Sequence, residues 1–233
     1  MLKDNEAILN TIPDFYNEEE ALRWITQGQQ LVQKLTPDII KNAPMSCLEW
    51  NETHLKQDSP WGLYASITWR KFVLATFFAD LVSYALPADQ VNFDRLLYVM
   101  HHFPKGFRTW CIQLPNQSWW PVGYTGWYPM LETSFEQFEK SPEKLKDRMV
   151  VPQSSSDYLY LFNYSIVPKL KKTTLSSMLM KNYIQDIIAE KVRGIACITV
   201  SNDGIRIAHS LGMEHSGNLN SAGHSEGVFT KRY

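Results

Sequence analysis

The residues best placed to do chemistry stand in one turn, Val167-Pro168-Lys169-Leu170-Lys171-Lys172-Thr173-Thr174-Leu175-Ser176-Ser177. Leu175, Met178, Leu179, Tyr183, Ile184, Ile187 and Ile188 then recur at helical spacing, so the turn opens a helix. A helix N-terminus presents N–H groups without intrahelical acceptors and a partial positive charge, and both attract phosphate. Lys169, Lys171 and Lys172 add point charges, and the hydroxyls of Thr173, Thr174, Ser176 and Ser177 add donors. The same residues also read as a helix cap at Thr173 or Thr174 with a solvated lysine surface.

The elements that must position this turn are legible on both sides of it. Residues 159–167 are apolar and aromatic enough for a strand, and it carries Tyr160, Asn163 and Tyr164. Arg193-Gly194 is the expected end of the helix, and residues 195–200 form a second apolar strand. Asn202 and Asp203 open a further helix with Ile205, Ile207, Ala208, His209 and Leu211, ending in Ser210-Leu211-Gly212-Met213. The order is strand, anion-friendly turn, helix, strand, helix.

The preceding chain reads in two textures. Asn17 followed by three glutamates starts a helix that runs to about Leu35, closed by Thr36-Pro37. Residues 43–60 are irregular with a short strand over 46–50, and helices follow over 62–86 and 91–102. Residues 107–114 and 119–128 then form a hairpin, in which Gly123 and Gly126 signal a bulge or a close backbone approach. Residues 131–149 are polar and helical with a break near Ser141-Pro142. The tail over 217–223 is loose, and 227–233 forms a final strand.

Other reactive side chains carry weaker signals. His101 and His102 sit at a helix end, where imidazolium is favourable with the dipole. His209, His215 and His224 have no zinc spacing and read as surface residues, so no metal is expected. Glu132 reads as a helix-start acid or as a group facing an acceptor. Trp119, Trp120, Trp127 and Tyr128 read as core or as the wall of an acceptor pocket. Nucleophile triads and Walker-type loops are absent.

The composition excludes several classes. The 233 residues, 44% hydrophobic and 20% charged, can bury a core without disulfides or metals. A net charge of −1 gives no basic field for nucleic acid or an anionic membrane. Cys47, Cys111 and Cys197 are widely separated, which fits reduced thiols and a cytoplasmic setting. The first ten residues carry Asp4 and Glu6 without an apolar run and do not read as a signal peptide. The apolar-leaning run over 61–86 contains Arg70, Lys71 and Asp80 and reads as a buried helix, not a membrane span.

The strand, turn and helix over 158–213 resemble the coenzyme A-binding core of the GNAT superfamily of acyl-CoA-dependent N-acyltransferases. In that family a strand ends in an apolar pair and Pro, and a Gln/Arg-x-x-Gly-x-Gly/Ala loop opens the next helix and holds the pyrophosphate. Here Ile166-Val167-Pro168 stands at the strand end, and Lys171-Lys172-Thr173-Thr174-Leu175-Ser176 fills the loop, with Thr174 and Ser176 at the small positions. Glycine there lets backbone approach a ligand without a Cβ in the way, so Thr174 leaves less room. Ser210-Leu211-Gly212-Met213 is similar to the family's Leu-Gly-Phe helix end, and Pro121-Val122-Gly123-Tyr124-Thr125 to its third strand.

The resemblance implies an α/β fold of the GNAT type: a mixed, twisted sheet flanked by helices, behind an N-terminal helical extension. The extension is placed at 1–60 and the acyl-CoA-binding domain at 61–233. It implies acetyl-CoA or another acyl-CoA held by Ile166, Val167, Lys171, Lys172, Thr173, Thr174, Leu175, Ser176 and Ser177, with Asn202 near the pantetheine or adenine end. The implied reaction is acyl transfer to a primary amine by direct attack. The family's strand carboxylate is missing, and its helix tyrosine is replaced by Ala208. The candidates left for catalysis are Asn163, Tyr164 and His209, although His209 points about 100° away from the Ala208 direction on a helix. The alternative is a catalytically weak or inactive GNAT-like module that binds acyl-CoA or a protein. The expected partners are acyl-CoA and a small-molecule or protein amine, with no nucleic acid or membrane. The chain would be a monomer or a homodimer pairing through its final strand.

Overall fold

The computed structural model describes residues 2–50, 66–145, 149–221 and 224–233. Strands β1 (Met45–Glu49), β2 (Phe107–Gln113), β3 (Trp119–Pro129), β4 (Tyr158–Ile166), β5 (Gly194–Thr199), β6 (Glu214–Ser221) and β7 (His224–Arg232) are hydrogen-bonded in the order β1-β2-β3-β4-β5-β7-β6. β4 and β5 are parallel, and β1–β2, β5–β7 and β6–β7 are antiparallel, so the sheet is mixed, as expected. Its helices are α1 (Leu2–Thr11), α2 (Glu18–Gln33), α3 (Pro37–Asn42), α4 (Ile67–Ser83), α5 (Phe93–His102), α6 (Glu132–Lys140), α7 (Thr174–Ala189) and α8 (Asn202–Ser210). The chain divides into two compact units, Met1–Thr125 with Ser165–Leu179, and Gly126–Tyr164 with Met180–Tyr233.

In the first unit the caps do what their residue types dictate. Asn17 Oδ1 accepts the Glu20 N–H at 3.3 Å, and three glutamates fill the first turn of α2. Thr36 does more than close α2, because its hydroxyl accepts the Ile39 N–H at 3.4 Å and Pro37 begins α3. Ser66 caps α4 by accepting the Trp69 N–H at 3.2 Å; the expected start at Gly62 lies outside the described residues. α4 stops at Ser83, short of the expected Leu86. The Gln90 amide bonds the Leu81 and Tyr84 carbonyls at 3.3 and 3.4 Å, and buried Asp80 takes the Val91 N–H at 2.8 Å, which turns the chain early. Trp24 of α2 stacks on Trp120 of β3 at 5.1 Å between ring centroids and lies against Phe78 of α4 at 4.9 Å. Gly28 permits this approach, since a Cβ there would fall 2.4 Å from the Trp120 ring and 2.5 Å from that of Phe78.

In the second unit, α6 lays Phe135 on Tyr158 and Phe138 on Tyr160, with ring centroids 4.6 and 5.6 Å apart. Gly194 is not the helix stop that the sequence suggests. α7 ends at Ala189, the chain turns at Lys191 with φ of 50°, and Gly194 begins β5. Its missing side chain serves packing, because a Cβ would lie 2.8 Å from the Phe135 ring and 3.0 Å from that of Tyr158. The tail expected to be loose is β6 for most of its length. The polar run over 214–218 lacks alternation and hides the strand, which forms by pairing with β7. β7 in turn lies between β5 and β6, so the final strand is no exposed edge; β1 and β6 are the ends of the order.

Candidate functional site

In the first unit, β4 ends where the Val167 N–H donates to the Val122 carbonyl of β3 at 2.8 Å. Gly123 allows this contact, as a Cβ there would sit 2.7 Å from the Ser165 carbonyl oxygen and 3.1 Å from the Ile166 Cα. A single 3-10 turn, Pro168–Leu170, follows, and Lys172 then takes φ of 65°, the left-handed region. The left-handed residue of the loop is therefore Lys172, while Thr174 is the first residue of α7 and right-handed. The first i→i−4 bond of α7 is Ser177 N–H to the Thr173 carbonyl at 3.2 Å, so the N–H groups of Thr174 and Leu175 precede it and have no intrahelical acceptor.

The side chains divide by role. Ile166, Val167 and Leu175 are buried and offer a ligand only their backbone. Lys171, Lys172, Thr174 and Ser177 are exposed, and Thr173 and Ser176 are half-buried. The hydroxyls of Thr173, Ser176 and Ser177 are not the outward donors that their types suggest. Thr173 donates to the Leu170 carbonyl at 2.6 Å, and Ser176 and Ser177 donate to the Thr173 carbonyl at 2.8 and 3.3 Å. Lys169 is also engaged, with its ammonium donating to the Gln33 carbonyl of α2 and, at 3.1 Å, to that of Leu35. The turn can thus present to an anion the Thr174 and Leu175 amides, the Thr174 hydroxyl and the exposed Lys172. Adjacent N–H groups on a helix end beside a cation suit a pyrophosphate.

In the second unit, β4 and β5 pair from Tyr158↔Gly194 to Leu161↔Cys197. No later rung joins them among the described residues: β5 continues with β7 at Ile198↔Val228 and Thr199↔Gly227. Beyond that rung the two parallel strands no longer pair with each other. Asn163 and Tyr164 follow this last rung on β4 and are half-buried. The Tyr164 ring lies 6.1 Å from that of Tyr183, whose hydroxyl donates to the Gly126 carbonyl at 2.9 Å. Burial, and secondarily the Asp203 carboxylate, push the Tyr164 phenol up to about 12. Tyr164 is therefore protonated over the physiological range. Cys197, at the last rung, packs against Met213 with sulfurs 3.9 Å apart, and burial raises its thiol to about 12, which removes it as a nucleophile.

α8 begins at Asn202, which is exposed, while Ser201 caps it by accepting the Gly204 N–H at 3.1 Å. It ends in a Schellman motif: Gly212, at φ of 72°, donates to the His209 carbonyl at 2.9 Å and Met213 to that of Ala208 at 3.0 Å. Ala208 is buried. His209 is exposed and packs edge-on to Phe229 at 5.3 Å. The charge of Asp203, in the first turn of α8, adds to burial in raising the Tyr164 phenol. In the sequence Asp203 reads only as a helix-opening acid, and an acid in a helix's first turn carries no mark of a second role.

The remaining candidates resolve into packing. Trp119, Trp120, Trp127 and Tyr128 are buried, and Tyr128 donates to the Val150 carbonyl at 2.9 Å. Glu132 opens α6 and accepts the Tyr158 hydroxyl at 2.7 Å. His215 lies on β6 with its Nε2 3.0 Å from Asn218 Oδ1. Among the described residues no cluster of three or more His, Cys, Asp or Glu is arranged to hold a metal, and no helix is long and apolar enough to cross a membrane.

No protein-family model and no curated protein matches the chain. Solved structures do. The loading GNATL domain of CurA from Lyngbya majuscula is 11% identical, with 81% of this chain and 98% of that one covered, at a TM-score of 0.53. The GphF GNAT-like decarboxylase in complex with isobutyryl-CoA is 10% identical, with 80% and 98% covered, at 0.51. The NatC complex bound to Gag peptide and CoA is 10% identical, with 81% and 98% covered, at 0.50. The likeness is one of fold, and the fold of this chain is of the GNAT type.

Proposed function

We propose that this GNAT-fold chain binds an acyl-CoA and transfers its acyl group, acetyl or longer, to a primary amine. The observation that carries the reading is the strand–turn–helix geometry of the first unit, where α7 opens at Thr174, with the Thr174 and Leu175 amides ahead of its first helical bond, directly after the exposed Lys171 and Lys172. Two neighbours of the same fold were solved with coenzyme A or isobutyryl-CoA. Ile166 and Val167 would contribute backbone, Thr173 and Ser177 the rim, and Asn202 a contact to the pantetheine or adenine end.

Transfer by direct attack needs no nucleophile from the protein. The acceptor's neutral amine attacks the thioester carbon, a C–N bond forms, the C–S bond breaks, and the amine's proton leaves to a base or to water. The departing thiolate takes a proton from Tyr164, whose phenol stays protonated to about 12. The Asn163 amide and strand-end N–H groups would polarise the thioester carbonyl. His209, solvent-exposed at the far end of α8, suits proton relay to solvent.

Buried Ala208, where the resemblance leads one to expect a tyrosine, favours a second reading: a module that binds acyl-CoA without turning it over. A thiol-release assay with acetyl-CoA and longer acyl-CoAs over small amines, peptide N-termini and lysine peptides separates the two. Thiol release dependent on an amine supports transfer; binding with no release beyond the uncatalysed rate assigns the module.

A further inference from the structure

Lys169 stands among three lysines of the candidate anion turn, yet its ammonium faces the other way. It donates to the Gln33 carbonyl, in the last turn of α2 where an α-helix leaves its C=O groups without internal partners, and to the Leu35 carbonyl just beyond the cap. A cation at a helix C-terminus is also favoured by the dipole. This joins the turn to the N-terminal helices at the middle residue of its 3-10 segment, Pro168–Leu170.

The contact closes a ring of fixed elements within the first unit. α2 is held on β3 by the Trp24–Trp120 stack and by Gly28, whose position admits no Cβ. β3 is held to the start of the turn by the Val167 N–H bonded to the Val122 carbonyl at 2.8 Å. The turn is held back to α2 by Lys169. Val167 is thus pinned from one side and Lys169 from the other, and the Thr174 and Leu175 amides follow directly.

We infer that Lys169 is a positioning residue, which fixes the anion-binding turn against the end of α2 and is not itself a phosphate ligand. The N-terminal helices are then part of the framework of the site, not an appendage. The ligand in this inference rests on the acyl-CoA reading above; the tether does not.

The test compares wild type, Lys169→Met and Lys169→Arg by hydrogen–deuterium exchange of residues 170–177 and by calorimetric titration of coenzyme A. Arginine keeps the two carbonyl bonds, methionine keeps only the aliphatic stem. Lys169→Met is expected to speed exchange at 170–177 and weaken coenzyme A roughly tenfold, the worth of a charge-assisted hydrogen bond, with Lys169→Arg restoring both. Weaker binding with unchanged exchange would make Lys169 a direct ligand and overturn the inference, as would wild-type values for both. If wild type binds no coenzyme A, the acyl-CoA reading falls and the exchange arm decides alone: faster exchange in the methionine variant upholds the tether, unchanged exchange ends it.

Discussion

The Val167 amide bonds the Val122 carbonyl at 2.8 Å, and one residue along β3 the Gly123 Cα lies so near β4 that a Cβ would meet the Ser165 carbonyl oxygen at 2.7 Å. The obstacle is backbone, which cannot swing aside as a side-chain tip can. Gly123→Ala is expected to cost about 1–3 kcal/mol, the range for overpacking, and to lower the thermal midpoint by several degrees. An unchanged midpoint would mean that β3 and β4 are not joined as described.

The sulfur chemistry gives a second expectation. Cys111 and Cys197 are buried with thiols raised by burial, Cys197 to about 12, whereas Cys47 is only half-buried. At pH 8 a thiol raised to about 12 holds roughly 10³-fold less thiolate than an ordinary one of pKa about 8.5. Titration with a disulfide reagent should consume no more than one thiol quickly in the native protein and all three after unfolding. Three fast thiols in the native state would contradict the burial of β2 and β5.

A half-buried ion pair makes the first unit's stability depend on acid pH. Arg70 Nε donates to Asp14 Oδ1 at 2.7 Å, its second nitrogen reaches Oδ2, and this hydrogen bonding holds the Asp14 carboxyl below its ordinary value. A lowered native value adds stability that is fully present above the unfolded aspartate value of about 3.9 and is lost as pH falls through the lowered one. Arg70→Met is expected to cost about 2 kcal/mol at neutral pH, less than a fully buried pair would because Asp14 is partly exposed. The gap in midpoint between the two proteins should hold above about pH 5 and narrow below about 4. A gap independent of pH would remove Asp14 from the account.

Tyr164 carries the prediction for chemistry. As the donor to the departing thiolate, its loss in Tyr164→Phe should lower kcat roughly 10²-fold while KM for acyl-CoA stays within about twofold. Since the phenol stays protonated to about 12, the wild-type rate should show no alkaline fall from this group below about pH 11. An unchanged kcat would pass the proton to another group, with His209→Ala the next variant to measure.

How much of this was legible in the sequence follows from how local each feature is. Asn17 before three glutamates and Gly212 after Leu211 are helix ends whose partners lie within a few residues, and each forms as read, whereas Thr36-Pro37, read as a helix stop, opens α3. Gly123 signalled a close approach, and it is one. Lys169 was hidden among like-charged neighbours because its partners at Leu35 and Gln33 lie 134 and 136 residues away. The hydroxyls of Thr173, Ser176 and Ser177 pointed to outward donors, but backbone carbonyls of the same turn compete for their protons and win. β6 has no apolar alternation and exists through β7, so no reading of residues 214–221 alone could find it.

The central claim, that the amides opening α7 with Lys171 and Lys172 hold the pyrophosphate of an acyl-CoA, is tested most directly by thermal shift. Wild type and the double variant Lys171→Glu, Thr174→Asp are each titrated with coenzyme A, acetyl-CoA and a longer acyl-CoA. Two carboxylates at the helix N-terminus repel a phosphate while remaining compatible with the helix dipole, so the variant should fold and lose the response. The account predicts a concentration-dependent rise in midpoint for wild type and none for the variant. No rise for wild type with any of the three ligands, or an equal rise in a folded variant, would contradict it.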